Sequence, residues 1–226
     1  MAFLDTWLAS FLTSGSISYL YYANRIFQLP LAIFAISLTV AIFPTIAKLI
    51  KSGDEKRANF QLKRGFWILI FLLSLSATGG IIFAKEIIWL LFERGAFDRS
   101  DTLSTASVLQ IYMVGLLPFG LSKLFSLWLY SQQRQLEVAK IATWSLVGYG
   151  TTAYFLFDTF GIVGLATATT VSGTVNLIFL IKSFGFQKFL ELFDRKILLI
   201  YTITIFYATA LFYWIDGLIA NYLKLI

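Results

Sequence analysis

The chain has 226 residues, of which 58% are hydrophobic and only 13% charged, and its mean hydropathy is +0.79. Soluble domains run near 45–50% apolar and about 25% charged, so a disordered chain, a disulfide scaffold and an ordinary soluble enzyme are excluded. With neither cysteine nor histidine, thiolate and imidazole zinc sites and every Ser-His or Cys-His mechanism are excluded too. What remains is an all-α polytopic membrane protein. At roughly 30 residues per span and its loop, the length suggests about seven helices.

Residues 1–12 are apolar but too short to cross a bilayer, and they carry no basic leader region or clear cleavage site. They read as the end of a helix, and TSGS at 13–16 as a turn. A long apolar stretch runs from Ile17 to Ile50, interrupted by Arg25, Pro30 and Pro44. The polar segment 51–64 follows, and Gly65 to Ala84 is a second span. Lys85 to Asp101 is mixed in charge and contains the turn-like LFERGAFD; Leu103 to Tyr130 is a third span with Pro118 inside it. After the polar 131–140, Ile141 to Phe157 crosses, 158–161 turns and Ile162 to Ile181 returns. The segment 182–196 is a partly amphipathic link, Ile197 to Trp214 a last full span and the rest a short tail. The organisation is thus a partial helix over 1–12, a five-span body over 17–183, and a link with one further span over 184–226. All three prolines lie in apolar stretches, where neighbouring helices and waters re-satisfy the freed carbonyls; such kinks can be static or can bend a helix round a cavity.

The net charge of +6 is distributed by topology. Twelve lysines and arginines fall in alternate loops, after the Pro44 helix, at 134–140 and at 182–196; the intervening loops and tail carry four. The positive-inside rule puts the twelve in the cytoplasm, which explains the basic excess without nucleic acid.

Arg25 is the charge that topology does not explain. It stands in YYANRIFQLPLAIF within an apolar helix, where a charge costs at least about 2.5–3.5 kcal/mol on insertion scales. Either it snorkels to the interface beside the Tyr21 and Tyr22 belt, or it faces a cavity, where its planar guanidinium suits a phosphate. Lys123, about two turns before the cytoplasmic end of its span, presents the same two readings, snorkelling first. Asp5 could bind a cation or lie in solvent. The hydroxyl-rich GLATATTVSGT at 164–174 reads first as close helix packing. There is no phosphate-binding GxxxxGK[ST] loop, no paired acid inside a span and no catalytic constellation, so no enzyme activity and no cofactor are implied.

These residues resemble a known family. GSISYLYYANRIFQLPLAIFAISLTVAIFP (15–44) is similar to the eighth-helix signature of the MurJ/MviN lipid II flippases. LFERGAFD (91–98) resembles their outer loop after helix 9, GLLPFGLSKLFSLWLYSQQ (115–133) their helix 10, and GIVGLATATTVSGTVNLIFL (161–180) their helix 12. The resemblance implies a helical bundle equal to the second lobe of a two-lobe, 14-helix exporter, running from the end of helix 7 through helix 13. It implies that Arg25, beside Asn24, binds the diphosphate of a lipid-linked disaccharide-pentapeptide, with Lys123 as a further substrate-side cation. Asp5 and Thr169 fall where the family could hold an ion between helices 7 and 12, although the matching helix-11 stretch 148–155 has no carboxylate. Asn24 stands where the family usually carries an acid, and QRQLEVAK replaces its Asp-x-x-Thr-Pro. The expected partners are that lipid-linked precursor, membrane lipids and an N-terminal or other partner lobe, and the expected location is the bacterial cytoplasmic membrane. One lobe cannot enclose a two-walled cavity, so the chain is expected to be inactive alone. The alternatives are a related polysaccharide flippase lobe and a non-transporting membrane scaffold.

Overall fold

The computed structural model describes residues 2–12 and 15–223, with side chains described over 6–12 and 15–219. Every regular element among them is helical. The short α1 (Ala2–Ala9) precedes α2 (Ser16–Pro30), which starts from Gly15 in the left-handed conformation at φ 94°. Pro30 has no N–H to give to the preceding turn, and the chain answers with one wide π-helical turn, Leu31–Ile36. At its end both the backbone N–H and the hydroxyl of Ser37 donate to the Ala32 carbonyl, the latter at 2.9 Å. The helix then continues as α3 (Ser37–Lys51), passing through Pro44. The run from Ser16 to Lys51 is one apolar, membrane-length unit of 36 residues with a built-in irregularity near its middle.

α4 (Glu55–Ile82) starts ten residues before the apolar run, because the Asp54 carboxylate accepts from the Arg57 N–H and caps it. α5 (Ala84–Phe92) follows at once. α6 (Arg99–Val114) opens with a capping box in which Asp98 and Asp101 each accept from the other's backbone N–H. The stretch expected as one span is built of two helices, α6 and α7 (Leu116–Ser131), bent by 41° at Gly115. Pro118 sits in the first turn of α7, where its missing N–H leaves no intrahelical bond unmade.

α8 (Gln135–Phe184) is 50 residues long but not straight: Gly161 leaves helical geometry at φ 53°, ψ −128°. The arms over 135–160 and 162–184 lie antiparallel. Ser172 Oγ donates to the Ser145 carbonyl at 2.6 Å, Ser145 Oγ to Asn176 Oδ1 at 3.2 Å, and Ser183 Oγ to Glu137 Oε2 at 3.2 Å. The hydroxyl-rich stretch thus bonds across a helix hairpin. α9 (Phe186–Glu191) and α10 (Arg195–Leu223) complete the order.

Among the described residues four helices are long and apolar enough to cross a membrane, five when α6 and α7 count as one bent span. The α8 hairpin supplies a further crossing. The core lies round α7, whose Leu116, Leu124, Phe125 and Trp128 are buried against α3, α4 and the α8 hairpin. α10 packs on α4. The basic loops meet at one end of the bundle: Lys63 Nζ donates to the Glu191 carbonyl, Lys188 pairs with Glu55, and Arg134 donates to the Ser183 carbonyl. The chain therefore folds as the alternating loop charges require.

Candidate functional site

The helical run α2–α3 lines three cavities along its length. At its upper end a cavity of about 260 Å³ is lined by Thr6, Ile17, Leu20, Asn24, Arg25 and Gln28 from the N-terminal segments, with Tyr112 reaching in from α6. Arg25 is exposed there. Its Nη2 donates to the Tyr21 hydroxyl at 2.6 Å, and its Cζ stands 4.7 Å from the Tyr21 ring centroid. Four residues apart on one helix, the two side chains share a face, and the contact fits both an arginine at an interfacial tyrosine belt and one turned to a cavity. Among the described residues no carboxylate lies within 4 Å of the guanidinium. Gln28 Nε2 donates to Asn24 Oδ1, which occupies Asn24 within its own helix. Among the described residues the guanidinium has a tyrosine partner and no ion pair, an arrangement suited to a bidentate anion.

Further down the same run a cavity of about 420 Å³ is lined by Ile36, Thr39, Val40, Phe43, Lys123, Ser126 and Tyr130. Lys123 is exposed and faces the wide turn and α3, with no ion pair among the described residues. Fourteen residues of helix separate Arg25 from Thr39, which puts Lys123 roughly 20 Å below Arg25 at 1.5 Å per residue. A third cavity, about 520 Å³, shares Phe43 and Tyr130 with the second and ends at Lys51 and the glutamines 132, 133 and 135. The second and third thus form one path from Lys123 to the basic end, and the Arg25 cavity shares no lining residue with them.

Thr169 is not in this path. It is buried on the second arm of α8, and its hydroxyl donates to the Leu165 carbonyl at 3.1 Å. The side chain of Asp5 lies outside the described residues. Tyr112, Thr39 and Tyr130 were not legible as site residues, because they reach the cavities from other helices or from beyond the wide turn. Tyr21 could have been found: it lies four residues before Arg25 on a predicted helix.

At the outer end, Tyr19 donates to Asp101 Oδ1 at 2.5 Å and so ties the start of α2 to the start of α6. Asp98 beside it is held below the ordinary carboxylate range, first by the Asp101 N–H and then by the hydroxyl and N–H of Ser100.

A multi-pass helical bundle with cationic, partly apolar cavities along α2–α3 defines the class: an all-α polytopic membrane protein. The family model described as lipid II flippase MurJ matches residues 1–225. A "Probable lipid II flippase MurJ" of Helicobacter pylori is 50% identical over 189 residues, covering 84% of this chain and 41% of that protein. One of Rickettsia prowazekii is 31% identical over 233 residues, covering 98% and 45%. A solved structure, "Lipid II flippase MurJ, inward closed conformation", superposes with a TM-score of 0.71 at 25% identity, over 98% of this chain and 50% of that one. The chain belongs to the lipid II flippase MurJ family, and it is a multi-pass protein of the inner membrane. It spans less than half the length of these curated relatives.

Proposed function

We propose that this chain is the C-terminal lobe of a lipid II flippase, with the body over 17–183 as the lobe proper and 184–226 as a link and one of the extra helices. The observation that carries the reading is Arg25: a guanidinium with no acidic partner among the described residues, oriented by Tyr21 in a partly apolar cavity. A lipid-linked sugar diphosphate needs such a surface. Its charged head requires cations and hydrogen bonds while its polyprenyl tail stays in lipid. Arg25 holds the diphosphate, Asn24 and Gln28 offer amides at the same level, and Lys123 meets the head lower down, at the second cavity. An ion held near Asp5 and Thr169 belongs to the same reading.

Paired with an opposing lobe, the wall rocks between inward-open and outward-open states while the head group moves past it. Membrane potential can bias that motion, at about 2.3 kcal/mol per elementary charge per 100 mV. The test joins this chain to the lobe that precedes it in its relatives and asks for growth of a strain depleted of its own flippase. The joined chain is expected to restore growth, this chain alone not to. Growth restored by the isolated chain would contradict the lobe assignment.

A further inference from the structure

A second cationic cavity lies far from Arg25, at the basic end of the bundle. It encloses about 210 Å³ between the start of α4 and α9 and is lined by Lys56, Asn59, Phe60, Lys63, Lys188, Glu191 and Leu192. We propose that it binds a phosphate ester as the head group of an anionic phospholipid, with the acyl chains leaving across Phe60 and α9.

Charge, rigidity and amphipathicity carry the assignment. Three lysines and one acid, Glu191, line the cavity, and Glu191 makes no ion pair with these lysines among the described residues, so the lining carries a net positive charge. Lys188 is 3.9 Å from Glu55, a loose pair; Lys63 is held by the Glu191 carbonyl rather than by a carboxylate; Lys56 has no acid within 4 Å among the described residues.

The floor is fixed. Buried Trp67 donates from Nε1 to the Leu192 carbonyl at 3.0 Å, and Phe66 packs on both Phe189 and Phe193, at 6.0 and 5.5 Å between ring centroids. Those contacts pin the α9–α10 link to α4 across more than a hundred residues of sequence, so the two backbone segments that carry the lysines are held together.

The rim is apolar. Phe60 and Phe186 are each 65% exposed and Leu190 is 52% exposed. Gly185, at φ 107°, turns the chain out of α8 into this short helix. Lysines beside exposed aromatics at a membrane surface match a phospholipid, whose phosphate sits directly above its hydrocarbon.

The experiment is native mass spectrometry of the full chain released from micelles containing equal phosphatidylglycerol and phosphatidylcholine. The wild type is expected to retain one phosphatidylglycerol in about tenfold preference. The K56Q/K63Q/K188Q variant is expected to lose most of that preference. K48Q/K140Q/K182Q, with the same loss of charge at the same end, is expected to keep it within about twofold. Glu55→Gln frees Lys188 and keeps every lysine; it is expected to raise retention, and this arm stands even where the triple variant folds poorly. Equal retention of both lipids, equal loss in both triple variants, or a fall with Glu55→Gln overturns the proposal. So does displacement of the lipid by millimolar glycerol phosphate, which would mark a site for free phosphate esters.

Discussion

Arg25 Nη2 donates to the hydroxyl of Tyr21, one turn back along α2, at 2.6 Å, while the guanidinium carbon lies 4.7 Å from the same ring's centroid. The bond orients the cation that lines the upper cavity. Tyr21→Phe removes the acceptor and keeps the ring, so transport by the joined two-lobe chain is expected to fall about two- to fivefold. Tyr21→Ala removes both and is expected to fall further. Initial rates of precursor translocation measure the order; equal rates for wild type and Tyr21→Ala would show that Tyr21 does not position Arg25.

Arg25→Lys keeps the charge and loses the planar fork. A site built for a bidentate anion should lose at least about tenfold in rate, whereas one needing only positive potential should lose little. The ratio of Arg25→Lys to wild-type transport separates the two.

The α8 hairpin depends on two glycines for different reasons. Gly161 holds φ 53° with ψ −128°, where a Cβ is strained, and Gly161→Ala is expected to cost about 1–2 kcal/mol. At Gly164 a Cβ would run into the Leu156 carbonyl oxygen, with the carbonyl carbon at 2.8 Å, and backbone cannot swing aside as a side chain can. Gly164→Ala is expected to abolish accumulation of folded protein. Gly148, with nothing within 4 Å, is the control, and Gly148→Ala is expected to be neutral or mildly stabilising. Fluorescence-detected size exclusion of the three variants reads the result.

The outer clamp makes a local prediction. Tyr19→Phe breaks the bond to Asp101, and amide exchange over residues 16–22 is expected to quicken about fivefold, the equivalent of one hydrogen bond. Unchanged exchange would show that the bond does not restrain α2.

The cap of α6 gives a pH dependence. Asp98 is lowered in the folded state by N–H and hydroxyl donors, so its contribution is complete above the ordinary carboxylate value of about 3.9 and is lost as pH falls through the lowered folded value. Thermal midpoints of wild type and Asp98→Ala are expected to differ at neutral pH and to converge in strong acid. A gap that widens in acid would reverse the sign.

Hydropathy made the membrane helices legible, because a span must be apolar over its whole length. It did not show where helices outlast the bilayer. α4 runs ten residues into the charged segment after Asp54, since a helix in water needs a cap and not a greasy sequence. Nor did it show shape. Pro30 and Pro118 look alike in sequence, yet one precedes a wide turn and the other sits harmlessly in a first turn, with the neighbouring bend at Gly115. That difference lies in whether the missing N–H falls inside a helix or in a first turn that needs none. In the site, Arg25 stood out because charge is costly in lipid. Tyr112 and Tyr130 did not, because a tyrosine in a span is cheap and its contribution comes from the neighbouring helix that brings it to the cavity.

The measurement that bears most directly on the central claim is the appearance of lipid II in the outer leaflet of a flippase-depleted strain carrying the joined two-lobe chain. With Arg25 intact, outer-leaflet precursor is expected to return. With Arg25→Ala, at equal membrane abundance, it is expected to stay at the depleted level. Full recovery with Arg25→Ala would contradict the assignment of Arg25 as the group that carries the diphosphate.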